Sequence, residues 1–355
     1  MYKWTKILFT GVVVAATLVP AVQVMAAEAK PSVIRLASPY VGSGNRPVGY
    51  GSYYATTQTL GLIEKEFQKD GIKVQWNNFK GAGPAINESY ANGLVDITWL
   101  GDLPTLIGKA SRLDTKLIAV GGSHDNTYLA VAPGSQAKTW ADLKGKRIGF
   151  FRGTSIHLGL YQIIKKYGLT EKDFRFVNVD GPVGYAALAS GDVDAIFTNQ
   201  SIFPVVDRGI AKIIYSSKKE PSQLQSSGYI LVSSKFEQKY PETVQRVVNV
   251  LVKQAAWESQ ASNREALFKL WSKSGLSYNT FVRANSGVDL KAHSAPILDA
   301  YNVSLIKQKL KAGQDLKLIR GTIDVDSWIE PKYVNNALKS QNLQNFWTPL
   351  NAGGK

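Results

Sequence analysis

The chain has 355 residues, 44% apolar and 19% charged, so it can bury a large core and is long enough for about two domains. Its formal charge is +15, yet the Lys and Arg residues are scattered and the densest patches are short pairs in "IKKYG" and "SSKKEP". With no basic stripe or aromatic platform, this excludes nucleic acid as the partner and leaves solubility, or a field that draws in small anions. Cysteine is absent, which excludes disulfides, thiolate nucleophiles, cysteine-ligated metals and a lipid anchor on cysteine.

In chain order, Lys3 and Lys6 precede an apolar stretch from Ile7 to Val19, followed by Pro20 and small residues up to Ala26. This is the order of a secretory signal, with a stretch too short to span a bilayer, so residues 1–26 are expected to be removed near Ala26 or Ala27. Loss of the two lysines leaves +13. An exported, unanchored chain is best retained by an outer membrane, so the expected location is a periplasm.

The first expected strand is "VIRLAS" (33–38), and a glycine-rich loop runs from Val41 to Tyr54. "LGLIEKEFQKDGIKVQWNNF" and, much later, "LGLYQIIKKYGLTEKDFRFVNV" each read as a helical apolar pattern closed by glycine, then a charged turn and a strand. Behind them come "ANGLVDITWLGDLP" (91–104) and "ASGDVDAIFTNQSIFP" (189–204), which share Ala, a polar residue, Gly, any residue, Val, Asp, alternating apolar positions and a later proline. One unit is therefore written twice, the second copy opening on "RIGFF" (147–151), and its strand–helix alternation predicts α/β lobes with parallel sheets.

"KLIAV" (116–120) and "KIIYS" (212–216) extend the two sheets. "TYLAVAP" (127–133) and "GYILVSS" (228–234) are expected connections between lobes. This places lobe one at 27–130 and 229–345, lobe two at 131–228 and a flexible tail at 346–355. The stretch "PETVQRVVNVLVKQAAWESQ" carries Val244, Val247, Val248, Leu251, Val252 and Ala255 at the spacing of one buried helix face, with Pro241 and Glu242 suited to its first turn.

Ligands of open parallel sheets bind beyond the carboxyl ends of the strands, where helices present unpaired N–H groups. In this sequence those ends read "SPYVGSGNRPVGYGSYY", "LGDLPT", "GGSHDN", "FFRGTSIH" and "FTNQS". Arg152 follows a buried strand, Gly153 lets backbone approach a ligand, and Thr154 and Ser155 start a helix, together an oxyanion cradle. Gly101 and Asp102 open the matching helix of lobe one, with Asp102 either an N-cap or a ligand contact. Asn199 and Gln200 end the matching strand of lobe two, Ser123 ends another, and Tyr50 and Gly51 belong to the glycine-rich loop, with Tyr53 and Tyr54 as further walls.

Catalysis finds little support. The three histidines (124, 157 and 293) show no metal spacing, and no calcium loop is present, so neither a metal nor a cofactor is expected. Ser123, His124 and Asp125 are consecutive, and neighbours in an extended segment point apart, so they make no triad. "GSGNRPVG" lacks the Lys-Ser/Thr ending of a phosphate loop. His157 reads as a cleft flank or helix-face residue. An enzyme on this scaffold would have only His157 and Asp102 as its acid–base pair.

At "GPAINESYANGLVDITWLGDLPTLIGKA", "TWADLKGKRIGFFRGTSIHLGL", "ALASGDVDAIF" and "GTIDVDSWIEPKYVNNAL", the sequence resembles the substrate-binding proteins of ABC importers for aliphatic sulfonates, taurine and nitrate, nearest the sulfonate branch. The resemblance implies a type II periplasmic binding fold, two doubly wound sheets joined by two hinge crossings. It implies a monomer that clamps a small organic anion, a sulfonate or sulfate ester, and delivers it to a membrane permease without enzymatic activity. Alternative ligands are nitrate, taurine or a neutral heterocycle. Carried over by position, Gly101 and Asp102, the set Arg152, Gly153 and Thr154, and Arg283 in "FVRANSG" line the pocket. "FTNQS" departs from the pattern in lacking the acidic or aromatic residue that many relatives have near this strand end.

Overall fold

The structure is a computed structural model that describes Met1 and residues 30–39 and 47–355, so the signal segment and Val41 to Arg46 of the glycine-rich loop lie outside the described residues. Among the described residues, ten strands form two five-stranded sheets. The first contains β1 (Val33–Ser38), β2 (Lys73–Asn78), β3 (Ile97–Gly101), β4 (Thr115–Asp125) and β10 (Ser226–Ser233), in the order β2-β1-β3-β10-β4. The second contains β5 (Tyr128–Val131), β6 (Arg147–Phe150), β7 (Arg175–Asn178), β8 (Ala195–Thr198) and β9 (Lys212–Ser216), in the order β7-β6-β8-β5-β9.

The sequence repeat has the same hydrogen-bonding explanation in both lobes. The Asp that ends "GLVD", Asp96, accepts the backbone N–H of Arg35 at 2.7 Å and two guanidinium N–H groups, while Arg35 also donates to Gly93 O at 2.6 Å. In lobe two Asp194 holds the backbone N–H and guanidinium of Arg147 in the same way, at 2.8 Å for the backbone, and Arg147 reaches Gly191 O at 2.7 Å. Each repeated Gly-x-Val-Asp turn thus pins the corresponding parallel strand of its own sheet, β1 and β6, through bidentate geometry that only arginine offers.

The sheets are not purely parallel, as alternation alone predicts. β10 runs antiparallel between β3 and β4, and β5 runs antiparallel between β8 and β9. Backbone pairing therefore puts Tyr128–Val131 wholly in the second sheet and Ser226–Gly228 in the first. The chain changes sheets at Asn126–Thr127 and returns over Ser217–Gln225, earlier than the expected crossings at Val131 and Tyr229.

Apolar clusters cover both faces of each sheet. In lobe one Ile34 and Leu36 pack with the helix Pro241–Glu258 through Val244, Val247, Val248 and Leu251, all at most 1% exposed. The expected flexible tail is in fact tied down as far as Leu350. Trp347 is buried, its indole donates to Ser259 Oγ and Lys291 O, and Leu350 N donates to Asp299 Oδ2 at 2.8 Å.

Candidate functional site

A cavity of about 1010 Å³ lies where the strands of both sheets end, lined by Ser38 of β1, Trp99 of β3, Asp125 of β4, Phe150 of β6, Thr198 of β8 and Ser226 of β10. Two helices of opposite lobes begin on it: Tyr53–Leu60, capped by Ser52 whose Oγ accepts from Ala55 N at 3.2 Å, and Ser155–Lys166. Their first-turn N–H groups give the cavity positive ends from both sides. A third helix, Gly181–Ser190, also starts there, but the Asp180 carboxylate already occupies its N-terminus, accepting from Val183 N at 3.0 Å.

The hinge supplies the cavity's polar floor. Thr127 N donates to Ser217 Oγ at 2.9 Å and Ser217 N to Thr127 O at 3.0 Å, so the two crossings are stitched to each other. The Thr127 hydroxyl, the Asn126 side-chain oxygen and the Ser155 hydroxyl belong to residues that line the cavity, and these atoms are buried with no hydrogen-bond partner among the described residues. Buried polar atoms left unmatched cost about 1–3 kcal/mol each. The Asn126 amide can present either its oxygen or its NH₂.

Trp99 forms one wall, lying against strands that carry no side chain beneath it. A Cβ on Gly228 would come within 2.2 Å of the ring and one on Gly121 within 2.3 Å, and the indole N–H donates to Gly121 O at 3.0 Å. On the lobe-two side, the Tyr185 hydroxyl bonds Thr198 Oγ1 at 3.2 Å and the Ser201 hydroxyl, which in turn bonds Asn199 Oδ1 at 2.7 Å.

Lys80 and Arg208 bring positive charge to the lining, Asp125 and Asp180 negative. Burial pushes the Asp125 carboxyl up to about 6; His293 and Lys309 pull it down and Asp102 pushes it up by lesser amounts. This carboxyl therefore takes up a proton at a higher pH than an ordinary aspartate while staying mostly ionised at pH 7.

Of the residues expected at the site, Ser155, Asn199, Gln200, Tyr50, Gly51 and the wall residue Tyr54 line the cavity, while Tyr53 is buried with its hydroxyl donating to Val120 O. The others do different work. Arg152 is exposed, with its guanidinium 5.4 Å over the Phe150 ring and its backbone N–H on Asn178 Oδ1. Thr154 turns its hydroxyl back to Phe151 O at 2.8 Å instead of capping the helix.

The close backbone approach expected at Gly153, and found at Gly101 as well, is between lobes. A Cβ on Gly101 would sit 2.1 Å from Ser155 Oγ, and one on Gly153 (φ +75°) 3.0 Å from Pro84 Cγ. Asp102 is buried against Lys309 Nζ at 2.6 Å and accepts Ser227 N at 3.2 Å. Ser123 donates to Ala292 O at 3.3 Å. Arg283 pairs with Asp207 of lobe two and covers the Phe203 ring at 4.3 Å. His157 is a core aromatic: it accepts Gly153 N–H at 3.3 Å, meets Tyr161 edge-on at 4.7 Å, and burial, then Arg152, push it down to about 4.

Trp99, Asn126, Thr127, Lys80 and Arg208 were not singled out from sequence. Two signals were present: glycines inside the strands of "VGG" and "SGY", which mark close approach of something bulky, and the Asp-Asn-Thr run after "GGSH" at a strand end.

With this geometry in place, comparison with known proteins gives a consistent result. The family described as NMT1/THI5 like matches residues 64–264. The solved periplasmic sulfonate-binding protein SsuA of a sulfonate ABC transporter from Methylobacillus flagellatus KT is similar at 34% identity and a TM-score of 0.77, covering 90% of this chain and 98% of that one. An aliphatic sulfonates-binding protein of Bacillus subtilis is 31% identical over 204 residues, 56% of this chain and 60% of its own length, so the chain spans well under two thirds of that curated relative. The desulfurization enzyme DszB shares the fold alone, at 19% identity and a TM-score of 0.62 over 87% of this chain and 99% of that one. No helix among the described residues is long and apolar enough to cross a membrane. The architecture is the two-lobed periplasmic binding protein fold, and the chain belongs to the NMT1/THI5-like family.

Proposed function

We propose that this protein is an exported, periplasmic solute-binding protein that holds an organic sulfonate or sulfate ester between its lobes and presents it to an ABC import permease. The observation that carries the reading is the set of three buried, unmatched polar atoms on Asn126, Thr127 and Ser155 at a cavity onto which helix N-termini of both lobes open. The oxyanion sits there, with Asn199 and Gln200 as further polar contacts and Trp99 and Tyr50 beside its carbon portion. The names of the relatives support a sulfonate. Binding without chemistry is supported by the fate of the one plausible acid–base pair: His157 is held neutral in the core and Asp102 is spent on Lys309. The leading segment supports export, and a monomer suffices because both halves of the site come from one chain.

A panel of ethanesulfonate, an alkyl sulfate, taurine, nitrate and sulfate, screened by melting temperature and then calorimetry, tests this. Ethanesulfonate or the alkyl sulfate is expected to stabilise by about 2.7 kcal/mol at a hundred times its Kd. Stabilisation by nitrate or sulfate alone, with none by the organic anions, overturns it.

The Asp125 carboxyl adds a pH signature. A bound anion beside it raises its affinity for a proton further, so binding takes up a proton and strengthens as pH falls from 8, levelling off below about 6. Each unit of further shift is about tenfold in Kd. The Asp125→Asn variant is expected to bind the sulfonate more tightly than the parent at pH 8 and to lose the slope, read by calorimetry across pH 5 to 8.

A further inference from the structure

We propose that Arg283 is a positioning residue for ligand binding: with Asp207 and Phe203 of the facing lobe it forms a clasp across the cleft that sets the affinity without touching the ligand. The effect on affinity rests on the two-lobed binding reading above; the clasp itself rests on geometry. The guanidinium pairs with the Asp207 carboxylate and lies 4.3 Å over the Phe203 ring. Phe203 and Asp207 stand four positions apart on the helix Phe203–Asp207, hence on one face of it. Only arginine presents a planar face to a ring and an N–H edge to a carboxylate at the same time. Neither Arg283 nor Asp207 lines the cavity.

The helix that carries Arg283, Tyr278–Ala284, is rooted in lobe one and ends against lobe two. Phe281 is fully buried in the lobe-one cluster of Leu267, Phe268, Trp271 and Leu290. Three residues on, Ala284 is buried in the lobe-two cluster that holds Tyr128 and Phe203, and Arg283 O accepts from Lys218 Nζ of the return crossing at 3.4 Å. The same two helices and their approaches build part of the cavity wall. Ser274, Gly275 and Leu276 lead into the helix Tyr278–Ala284, Pro204 and Val205 belong to the helix Phe203–Asp207, and all five line the cavity. Parting the lobes here therefore has to break the ion pair, uncover Phe203 and expose Ala284.

A ligand that binds only the closed lobes has its affinity scaled by the fraction of molecules that are closed. An exposed ion pair and a cation over a ring together shift that fraction by about three- to tenfold. Arg283→Glu, Asp207→Arg and the double swap, made in the full mature chain, test the clasp by calorimetry with ethanesulfonate and by small-angle scattering without it. Each single reversal sets like charges together, so it is expected to weaken binding by about that factor and to enlarge the radius of gyration. The double swap is expected to recover most of both. Melting temperatures are expected to change little, since the two side chains are 42% and 44% exposed. A field effect on the anion would move the affinities of the two reversals in opposite directions, and a purely structural pair would move the melting temperature alone; either result overturns the clasp. If no sulfonate binds, the sulfonate reading fails and scattering still decides the clasp: single reversals with the dimensions of the parent overturn it.

Discussion

Replacing Lys309 by methionine is expected to lower the free energy of unfolding by about 3–5 kcal/mol, the cost of leaving one member of a buried ion pair without its partner. The Lys309 and Asp102 side chains are 2% and 1% exposed, and the ammonium lies 2.6 Å from Asp102 Oδ2 and 2.7 Å from Gln225 O. Methionine fills most of the same space, so the loss is electrostatic and not a cavity. It strands a carboxylate that keeps only the N–H groups of Leu103 and Ser227. The double variant Asp102→Asn, Lys309→Met is expected to recover a large part of the loss, because no charge is then buried alone. Urea unfolding followed by fluorescence and circular dichroism together measures both; a single variant within 1 kcal/mol of the parent would show that water reaches the pair.

That pair also shows what local sequence can and cannot tell. Its members are 207 positions apart, and nothing near Asp102 announces a lysine, so a helix-start carboxylate reads equally well as cap or ligand contact. Arg283 and Asp207, 76 positions apart, pose the same problem. A cation at a suggestive position has a partner in space that spacing does not reveal. By contrast the strands Val33–Ser38 and Lys212–Ser216 and the long helix from Pro241 were legible, because apolar period and chain punctuation are local properties. The repeat was legible as well, and the structure gives its cause in the two Arg–Asp clamps on β1 and β6.

Strand direction was not legible. An all-buried run such as "YLAV" looks alike in a parallel or antiparallel neighbourhood, and only the arrival of the chain from the other lobe turns β5 and β10 around. Gly153 was read with the right property and the wrong partner: something does come too near for a side chain, and it is the facing lobe, as it is at Gly101, which was read only as a helix start. The glycines of β4 and β10 carried the same signal for the Trp99 ring. A binding cleft between two lobes makes this confusion general, since ligand contact and lobe contact both select small residues at strand ends.

The sharpest separation of binding from folding comes from the double variant Thr127→Val, Ser155→Ala. Both hydroxyls are buried without a partner among the described residues, so the unliganded fold loses nothing when they go and sheds a desolvation cost of about 1–3 kcal/mol for each. Valine keeps the shape of Thr127, which is 2% exposed, and alanine is a good residue in the first turn that Ser155 occupies. The melting temperature of the unliganded protein is therefore expected to stay level or rise. A hydrogen bond to a charged oxygen contributes about 1.5–3 kcal/mol, so the affinity for ethanesulfonate is expected to fall by at least a hundredfold, about 3 kcal/mol or more across the pair. Structural hydroxyls would give the opposite pattern, a less stable protein with unchanged affinity, because their partners would then be protein atoms. Calorimetry with ethanesulfonate and a melting curve without it, on the same preparation, decide between the two: stability and affinity must move apart if these atoms face a ligand, and together or in stability alone if they do not.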